Sequence, residues 1–308
     1  MKLEGLYTAL VTPFDSQGIL DKEGLRRNLR YQLQHGVQGI IVLGTTGEDP
    51  TLTPQEKRTI VEIALEEVKS KATLIVGTGS YSTVQTIAAT QLAYEMGADA
   101  ALIVTPYYNK PTQEGLYRHF EAICKAVSIP ICIYNIQCRT GQNLQTDTLE
   151  RLTAFPSIIG VKEASGNIMQ INEVLELVEK KHPHFAVLSG DDALTLPLMA
   201  LGGQGVISVV SNLLPGPIQN LVQAALKGDF ISARNWHYQL LPIFKSAFIE
   251  TNPIPIKAAM RLCGMASGSC RLPLCELAPT SFQKLKQVLN TLPTSWLSEY
   301  GQTQSSHC

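Results

Sequence analysis

Apolar positions cluster along the chain into eight short runs, each bounded by polar or turn-forming residues. The runs span residues 6–12, 39–43, 73–77, 100–105, 129–134, 158–162, 186–189 and 206–210. Short, continuous apolar runs of this kind are typical of parallel strands that are buried on both faces. The pattern therefore predicts eight buried strands.

Amphipathic stretches with the period of helices separate these runs. They include residues 22–35, 54–68, 83–96, 114–126, 146–154 and 168–179. Thr53, Pro54 and Glu56 supply an N-cap, a first-turn proline and an acidic residue at the start of one of them. Eight strands alternating with helices predict an α/β protein with a closed (β/α)8 TIM barrel. A doubly wound open sheet is the alternative, but no Gly-x-Gly-x-x-Gly sequence follows the first run.

The strand pattern stops near Gly228, and the rest of the chain has helical periodicity. Helices are predicted at residues 230–248, 255–263 and 279–292, with Asn252-Pro253-Ile254-Pro255 separating the first two. We therefore predict a catalytic barrel of residues 1–227. A C-terminal helical extension of residues 228–308 would pack on the barrel or on another subunit.

Composition excludes several classes of protein. The 308 residues are 44% hydrophobic and 17% charged, with a net charge of -1 and no basic stripe, which argues against binding to nucleic acid or to an anionic membrane. No apolar stretch reaches the roughly 20 residues that a membrane span needs. The N-terminal residues lack the apolar core of a signal peptide, and none of the seven cysteines form a Cys-x-x-Cys pair. We expect a cytoplasmic protein.

Lys162 is the strongest candidate for chemistry, because it ends the apolar run of residues 157–161. Burying an ammonium group costs several kcal/mol, so a lysine in such a place is usually paired, or neutral and reactive. A neutral amine is the nucleophile that carbonyl substrates require. The alternative is a structural lysine whose head reaches water. We expect the other lysines to lie on polar helix faces, in turns or near the termini.

The active site of a (β/α)8 barrel forms at the carboxyl ends of its strands, so the residues there are the next candidates. Gly44-Thr45-Thr46-Gly47-Glu48 follows the second run and offers amides and two hydroxyls for a small carboxylate, or is simply a tight turn. Tyr107 and Tyr108 follow the fourth run, where loop aromatics are often packing or interface residues.

The later strands end in residues suited to acid–base chemistry and to binding of carboxylates. Tyr134 ends the fifth run and can relay protons, while Arg139, in the loop that follows, can clamp a carboxylate through two hydrogen bonds. Ser189-Gly190-Asp191-Asp192 follows the seventh run, and we expect its acids to cap the next helix rather than bind a metal. Ile207 lies in the eighth run.

Two other barrel chemistries fit these strand ends poorly. Phosphate-binding barrels use the loops after the seventh and eighth strands, which here are acidic and apolar. Metal-dependent aldol enzymes need clustered histidine and carboxylate ligands, but the six histidines fall in predicted helices, loops or the tail. A lysine, a tyrosine, small hydroxyls and an arginine remain, and this set suits Schiff-base chemistry on an oxo-acid.

Five motifs in order resemble the dihydrodipicolinate synthase family, also named 4-hydroxy-tetrahydrodipicolinate synthase, of the pyruvate-dependent class I aldolases. They are Gly44-Thr45-Thr46-Gly47-Glu48, Pro106-Tyr107-Tyr108-Asn109, Tyr134-Asn135 with Arg139-Thr140-Gly141, Gly160-Val161-Lys162-Glu163-Ala164, and Asn252-Pro253-Ile254-Pro255-Ile256-Lys257. The resemblance extends from Gly5 to about residue 292. It implies condensation of pyruvate with L-aspartate 4-semialdehyde in lysine and diaminopimelate biosynthesis.

The resemblance also implies a role for each matching residue. Lys162 would form the Schiff base with pyruvate, and Tyr134 would shuttle protons with Thr45 and with Tyr108 of a neighbouring subunit. The substrate contacts would come from Thr46 for the pyruvate carboxylate, Arg139 for the semialdehyde carboxylate, and Gly190 and Ile207 for the pyruvate pocket. It implies no cofactor or metal, and a homotetramer arranged as a dimer of dimers.

Some positions depart from the family pattern, and rival functions stay open. The departures are Asp49, Gln137-Cys138, and, at the positions of the lysine-feedback site, Pro54, Lys57, Tyr81 and Gln85, with Tyr107 retained. We therefore expect weak or absent feedback inhibition by lysine. The closest rival is a sister aldolase that cleaves N-acetylneuraminate or a 2-keto-3-deoxy sugar acid, against which the two threonines and Arg139 argue. The other is a barrel that binds an oxo-acid without turning it over.

Overall fold

The computed structural model describes residues 1–297, and its eight strands follow one another in chain order around a closed parallel barrel. The strands are β1 (Gly5–Ala9), β2 (Gly39–Val42), β3 (Thr73–Gly77), β4 (Ala100–Val104), β5 (Ile131–Asn135), β6 (Ile158–Glu163), β7 (Ala186–Ser189) and β8 (Gly205–Ser208). Each predicted apolar run overlaps one of them. The predicted (β/α)8 barrel is confirmed.

Helices alternate with these strands and continue after the last one. They are α1 (Lys22–Gln34), α2 (Pro54–Val68), α3 (Thr83–Met96), α4 (Gln113–Ala126), α5 (Gln137–Thr140), α6 (Thr146–Leu152), α7 (Ile168–Lys181), α8 (Thr195–Ala200), α9 (Pro215–Leu226), α10 (Phe230–Ser246), α11 (Ile254–Leu262) and α12 (Pro279–Thr291). The short helices α5 and α8 and the helix α9 were not among the predicted stretches.

The start of α2 carries the predicted capping signal. The Glu56 amide donates a hydrogen bond to the Thr53 hydroxyl at 3.2 Å, and the Thr53 amide donates to the Glu56 carboxylate at 2.9 Å. This reciprocal pair satisfies two backbone donors that the first turn of a helix leaves without partners. Pro54 occupies the first helical position, where a missing N–H costs nothing.

Two predicted strand boundaries are displaced for reasons of hydrogen bonding. β1 ends before Val11, because the Val11 amide donates to the Asn212 side chain at 3.0 Å instead of continuing the sheet. β5 begins after Pro130, which has no N–H to donate to a neighbouring strand. The apolar run does not reveal the first event, whereas Pro130 itself marks the second one in the sequence.

The chain divides into two compact units. The first comprises Met1–Gly5 and Ile75–Ile207. Within it, the parallel register places Tyr134 of β5 opposite Lys162 of β6, and Lys162 opposite Leu188 of β7. Fully buried aliphatic residues on these strands include Ile133, Val161 and Val187.

The second unit comprises Leu6–Leu74 and the described residues from Ser208 onward. β1 and β2 pair in parallel within it, with Thr8 opposite Ile40. α1 and α2 are joined by Arg30, whose guanidinium donates to the Glu67 carboxylate at 2.7 and 2.9 Å.

The predicted boundary between residues 227 and 228 stays a prediction, and residues 298–308 of the predicted extension lie outside the described chain. α10, α11 and α12 do follow the last strand, in agreement with the predicted helices. Within residues 1–297, no helix combines the length and the apolar character that crossing a membrane requires.

Candidate active site

Lys162 is a buried lysine beside a tyrosine ring. It lies on β6, is only 5% exposed, and its Nζ is 4.2 Å from the centroid of the Tyr134 ring. The pKa of Lys162 is lowered to about 8, chiefly by burial and to a smaller degree by the charge of Arg139, while Cys132 and Asp192 act in the opposite direction. The alternative of a structural lysine reaching bulk water does not fit this placement. The amine is therefore partly neutral near neutral pH.

Gly190 leaves the space that the Lys162 side chain occupies. A Cβ atom at position 190 would lie 3.0 Å from Lys162 Cγ, 3.1 Å from its Cε and 2.7 Å from Ala164 Cβ. The Gly190 amide also donates to the Glu163 carbonyl at 2.8 Å, which fixes the start of the segment after β7. A side chain larger than hydrogen at position 190 would therefore force the Lys162 side chain into a different conformation.

Replacing Gly190 with alanine is expected to lower the second-order rate of the Lys162 amine with an oxo-acid by about 10²-fold, because an added methyl group displaces the amine by a fraction of an ångström or more. The measurement is the rate at which borohydride traps a small oxo-acid on the protein, as a function of oxo-acid concentration, together with a melting temperature. An unchanged rate in a folded Gly190→Ala variant would contradict the role assigned to this close approach.

Arg139 lies on the short helix α5 rather than in an irregular loop. Gly141 ends that helix with φ of 68°, a left-handed conformation that glycine adopts without steric cost. Inside the helix, the Thr140 hydroxyl donates to the Ile136 carbonyl at 3.0 Å. Arg139 is exposed, and its charge is close enough to Lys162 to influence the pKa of that amine. Gln137 and Cys138, which depart from the family pattern, are exposed on the same helix.

Tyr108 is displayed on the surface of the single chain. Its side chain is 90% exposed, and its φ of 70° is rare for a residue with a bulky side chain. The neighbouring Asn109 side chain donates to the Tyr81 carbonyl at 3.0 Å, and the Tyr81 ring packs edge-on against Tyr107 at 5.4 Å. The contribution of Tyr108 to a neighbouring subunit stays a prediction.

Thr45 and Thr46 form a 3-10 turn, Thr45–Gly47, in the second unit. Two residues near this turn have left-handed backbone conformations: Leu43 (φ 57°), two residues before it, and Glu48 (φ 55°), directly after it. The sequence instead predicts that Gly44 and Gly47 supply the backbone freedom for the turn. Such left-handed conformations cost about 1–3 kcal/mol when surrounding contacts impose them, and they cluster at functional sites. Thr46 is buried, and its hydroxyl accepts a hydrogen bond from the Asn252 side chain at 3.0 Å.

Lys257 is a second buried lysine, and the expectation that all other lysines lie on polar faces, in turns or near the termini is wrong for it. It is 1% exposed and donates to Glu48 Oε1 at 2.6 Å and to the Thr12 and Ser269 carbonyls at 3.0 Å each. All three ammonium protons are thus used. Burial lowers the pKa of Lys257, and Glu48 opposes that shift. The apolar sequence that surrounds Lys257 in α11 was the available signal.

The remaining predicted residues have defined places in the first unit. Asp191 accepts a hydrogen bond from the Ala193 amide at 2.8 Å, so the predicted capping role is confirmed for this residue. Asp192 is buried in the turn that follows, and Ile207 is fully buried in β8. Across the described part of the chain, no group of three His, Cys, Asp or Glu side chains is arranged to hold a metal ion.

Two of the departures from the family pattern contact each other. Lys57 Nζ is 2.8 Å from Asp49 Oδ1. Burial raises the pKa of Asp49, and the bond from Lys57 lowers it. The positive charge that would repel a cationic effector is therefore partly offset, and the expected loss of lysine feedback depends mainly on Pro54, which has no polar side chain.

Comparisons with known proteins agree with these motifs. The model of the dihydrodipicolinate synthetase family matches residues 2–292. The 4-hydroxy-tetrahydrodipicolinate synthase of Protochlamydia amoebophila is 63% identical over 298 residues, covering 97% of this chain and 99% of the relative. A solved dihydrodipicolinate synthase from Thermotoga maritima is 42% identical, with a TM-score of 0.92 and coverage of 94% and 98%. A solved monomeric dihydrodipicolinate synthase variant is also 42% identical, with a TM-score of 0.91 and coverage of 94% and 96%.

Proposed function

The chain belongs to the dihydrodipicolinate synthetase family, and we propose that it catalyses the reaction for which its relatives are named. That reaction is the condensation of pyruvate with L-aspartate 4-semialdehyde by a lyase of lysine and diaminopimelate biosynthesis. The observation that carries the proposal is the buried Lys162 amine, with its lowered pKa, 4.2 Å from the ring centroid of Tyr134.

The first half of the reaction makes a nucleophile from pyruvate. The neutral Lys162 nitrogen attacks the C2 carbonyl, and loss of water gives a positively charged iminium. The iminium accepts the electron pair released when a proton leaves C3, which produces an enamine. Tyr134, beside the amine, supplies and removes the protons of these steps. The covalent intermediate serves as the electron sink, so the reaction needs no cofactor or metal.

The second half joins the two substrates and releases the enzyme. The enamine carbon attacks the aldehyde of the semialdehyde and regenerates the iminium. The amine of the second substrate then adds to that iminium and displaces Lys162, which closes the ring. In this scheme Arg139 binds the second carboxylate, and Thr46 binds the pyruvate carboxylate largely through its backbone amide.

The same proposal assigns the residues of the proton relay and those that line the pyruvate pocket. Tyr134 exchanges protons with Thr45 and with Tyr108 of a neighbouring subunit, and Gly190 and Ile207 line the pyruvate pocket. We propose a cytoplasmic homotetramer arranged as a dimer of dimers. A 90% exposed phenol in the single chain supports donation of Tyr108 to a neighbour.

The pH dependence should report the lowered pKa of Lys162. Because only the neutral amine attacks, kcat/KM for pyruvate is expected to fall about tenfold for each pH unit below the pKa of about 8, and to level off above it. Initial rates across pH 6 to 10, with the protein's integrity checked at each end, give the profile. If kcat/KM still rises steeply above pH 8, toward the unperturbed lysine pKa of 10.5, the proposed effect of burial is contradicted.

Feedback by L-lysine is expected to be weak or absent, because the Pro54 side chain has no hydrogen-bonding group and Lys57 places a partly offset positive charge at the corresponding site. Titration of L-lysine into the condensation assay tests this. An inhibition curve with a micromolar midpoint would show that the departures at these positions leave the effector site intact.

Two measurements test the proposed function. The first adds pyruvate and borohydride and maps the adduct by mass spectrometry, with Lys162 as the expected site. The second assays product formation from pyruvate with and without aspartate semialdehyde. Cleavage of N-acetylneuraminate or of a 2-keto-3-deoxy sugar acid, without turnover of the semialdehyde, would transfer the assignment to a sister aldolase. Adduct formation without any turnover would indicate a barrel that only binds the oxo-acid.

A further inference from the structure

We propose that four buried or half-buried side chains position Arg139 and so set the affinity for the carboxylate of the second substrate. These residues, the anchor cluster, are Asn135, Asn143, Glu163 and Gln170. The inference rests on the proposed function, because it assigns Arg139 to that carboxylate. The anchor residues touch no substrate and act through the loop between β5 and α6, residues 136–145.

Asn135, the last residue of β5, holds the far end of this loop. Its Nδ2 donates to Asn143 Oδ1 at 3.0 Å and to Glu163 Oε2 at 3.3 Å. Its Oδ1 accepts from the Leu144 amide at 3.0 Å. Asn135 is 1% exposed, so these bonds form away from competing water. The two ends of the loop are thereby joined to each other.

Gln170, on α7, holds the same end of the loop from the opposite side. It accepts from Asn143 Nδ2 at 2.7 Å, and its Nε2 donates to the Leu144 carbonyl at 3.0 Å and to Asn143 Oδ1 at 3.3 Å. The Asn143 side chain is therefore bonded to β5 and to α7, and its backbone carbonyl also accepts from Gln113 of α4 at 2.8 Å. Such reciprocal amide bonds fix both the distance and the orientation of the loop.

Glu163 links the anchor cluster to the strand that carries the nucleophile. Its carboxylate is buried, accepts from the Ser165 amide at 2.7 Å, and takes the bond from Asn135. Burial raises the pKa of Glu163, and these hydrogen bonds lower it. Successive side chains of a strand point to opposite faces. β6 thus supplies the reacting amine on one face and an anchor for the Arg139 loop on the other.

The position of Arg139 follows from how the loop is held. α5 is short and ends at Gly141, and the loop that carries it is bonded to Asn135 and to Gln170, so these bonds contribute to the placement of the Arg139 backbone. A bidentate bond between guanidinium and carboxylate requires both distance and direction. Loosening residue 143 should therefore weaken binding of the semialdehyde without altering the reaction of pyruvate with Lys162.

The test compares Asn143→Ala with Gln145→Ala. Gln145 is exposed and belongs to the same loop, so the control removes an equivalent amide outside the anchor cluster. For Asn143→Ala, KM for aspartate semialdehyde is expected to rise about tenfold to a hundredfold, with KM for pyruvate and the yield of the borohydride adduct unchanged. Gln145→Ala should match the wild type.

A double-variant cycle separates positioning from a merely structural role. In an Arg139→Ala background, Asn143→Ala should raise KM for the semialdehyde no further, because the group that it positions is gone. If Asn143→Ala does not fold, Gln170→Met, which removes the partner bonds at similar volume, takes its place with the same expectation.

The outcomes distinguish this inference from the proposed function. A selective and non-additive rise in KM supports the anchor cluster. Equal rises in both KM values, full additivity with Arg139→Ala, or no change in a folded variant would overturn it. A wild-type protein that makes no product from the semialdehyde contradicts the proposed function, and the inference falls with it.

Discussion

Replacing Lys162 with alanine is expected to lower kcat/KM for the condensation on the order of 10³-fold or more, because no other group can form the iminium through which the reaction proceeds. The structure gives the physical reason. Lys162 is 5% exposed, its pKa is lowered to about 8, and Tyr134 lies beside it, so a substituting amine from the surface cannot take its place.

The measurement for Lys162→Ala pairs steady-state kinetics with adduct mapping. The pyruvate–borohydride adduct should disappear, while the melting temperature should change little, because the desolvation cost removed with the amine offsets the cavity that alanine leaves. Lys180→Ala is the control, since Lys180 is an exposed lysine on α7. Turnover equal to the wild type would remove the basis of the whole assignment.

Replacing Lys257 with methionine is expected to reduce the free energy of unfolding by about 3–5 kcal/mol, because it leaves the Glu48 carboxylate buried without its cation. The pair is deeply enclosed: the Lys257 side chain is 2% exposed and the Glu48 side chain 0%. Methionine fills a similar volume, so the expected loss comes from the unpaired charge rather than from a cavity.

Chemical denaturation with and without the partner substitution tests this expectation for Lys257. Adding Glu48→Gln to Lys257→Met should recover part of the lost stability, since the uncompensated charge is then removed. Lys245→Met on α10 is the matched control, because Lys245 is exposed in the same unit. A loss below about 1 kcal/mol for Lys257→Met would show that water or rearrangement satisfies Glu48.

The strands could be predicted from the sequence, whereas several of their ends could not. Eight apolar runs are enough to place eight strands, since burial on both faces leaves few polar positions within them. The end of β1 depends on a bond from Val11 to Asn212, which is 201 residues away in sequence. The hydrophobic periodicity of a segment indicates which of its residues are buried, but it does not indicate which residue far away in the sequence will form a hydrogen bond with it.

The candidate site likewise contains residues that the local sequence predicts and residues that it does not predict. Lys162 is recognisable because a charged residue interrupts an apolar strand, and the burial that this implies is present. Lys257 was missed because a lysine in an amphipathic helix usually faces water. The left-handed residues Leu43 and Glu48 were missed as well, because neither residue type favours that conformation.

The pairing of Glu48 with Lys257 has a consequence for biosynthesis of the chain. The two residues are separated by 209 positions, and the Arg271 amide also donates to Glu48, at 2.9 Å. A ribosome-bound chain that has emerged only as far as β8 already contains the Thr45–Gly47 turn and Glu48. Neither Lys257 nor Arg271, two partners of the Glu48 carboxylate, has then been synthesised. The contacts that hold Glu48, the residue directly after the turn that contains Thr45 and Thr46, can therefore form only after most of the polypeptide has been synthesised.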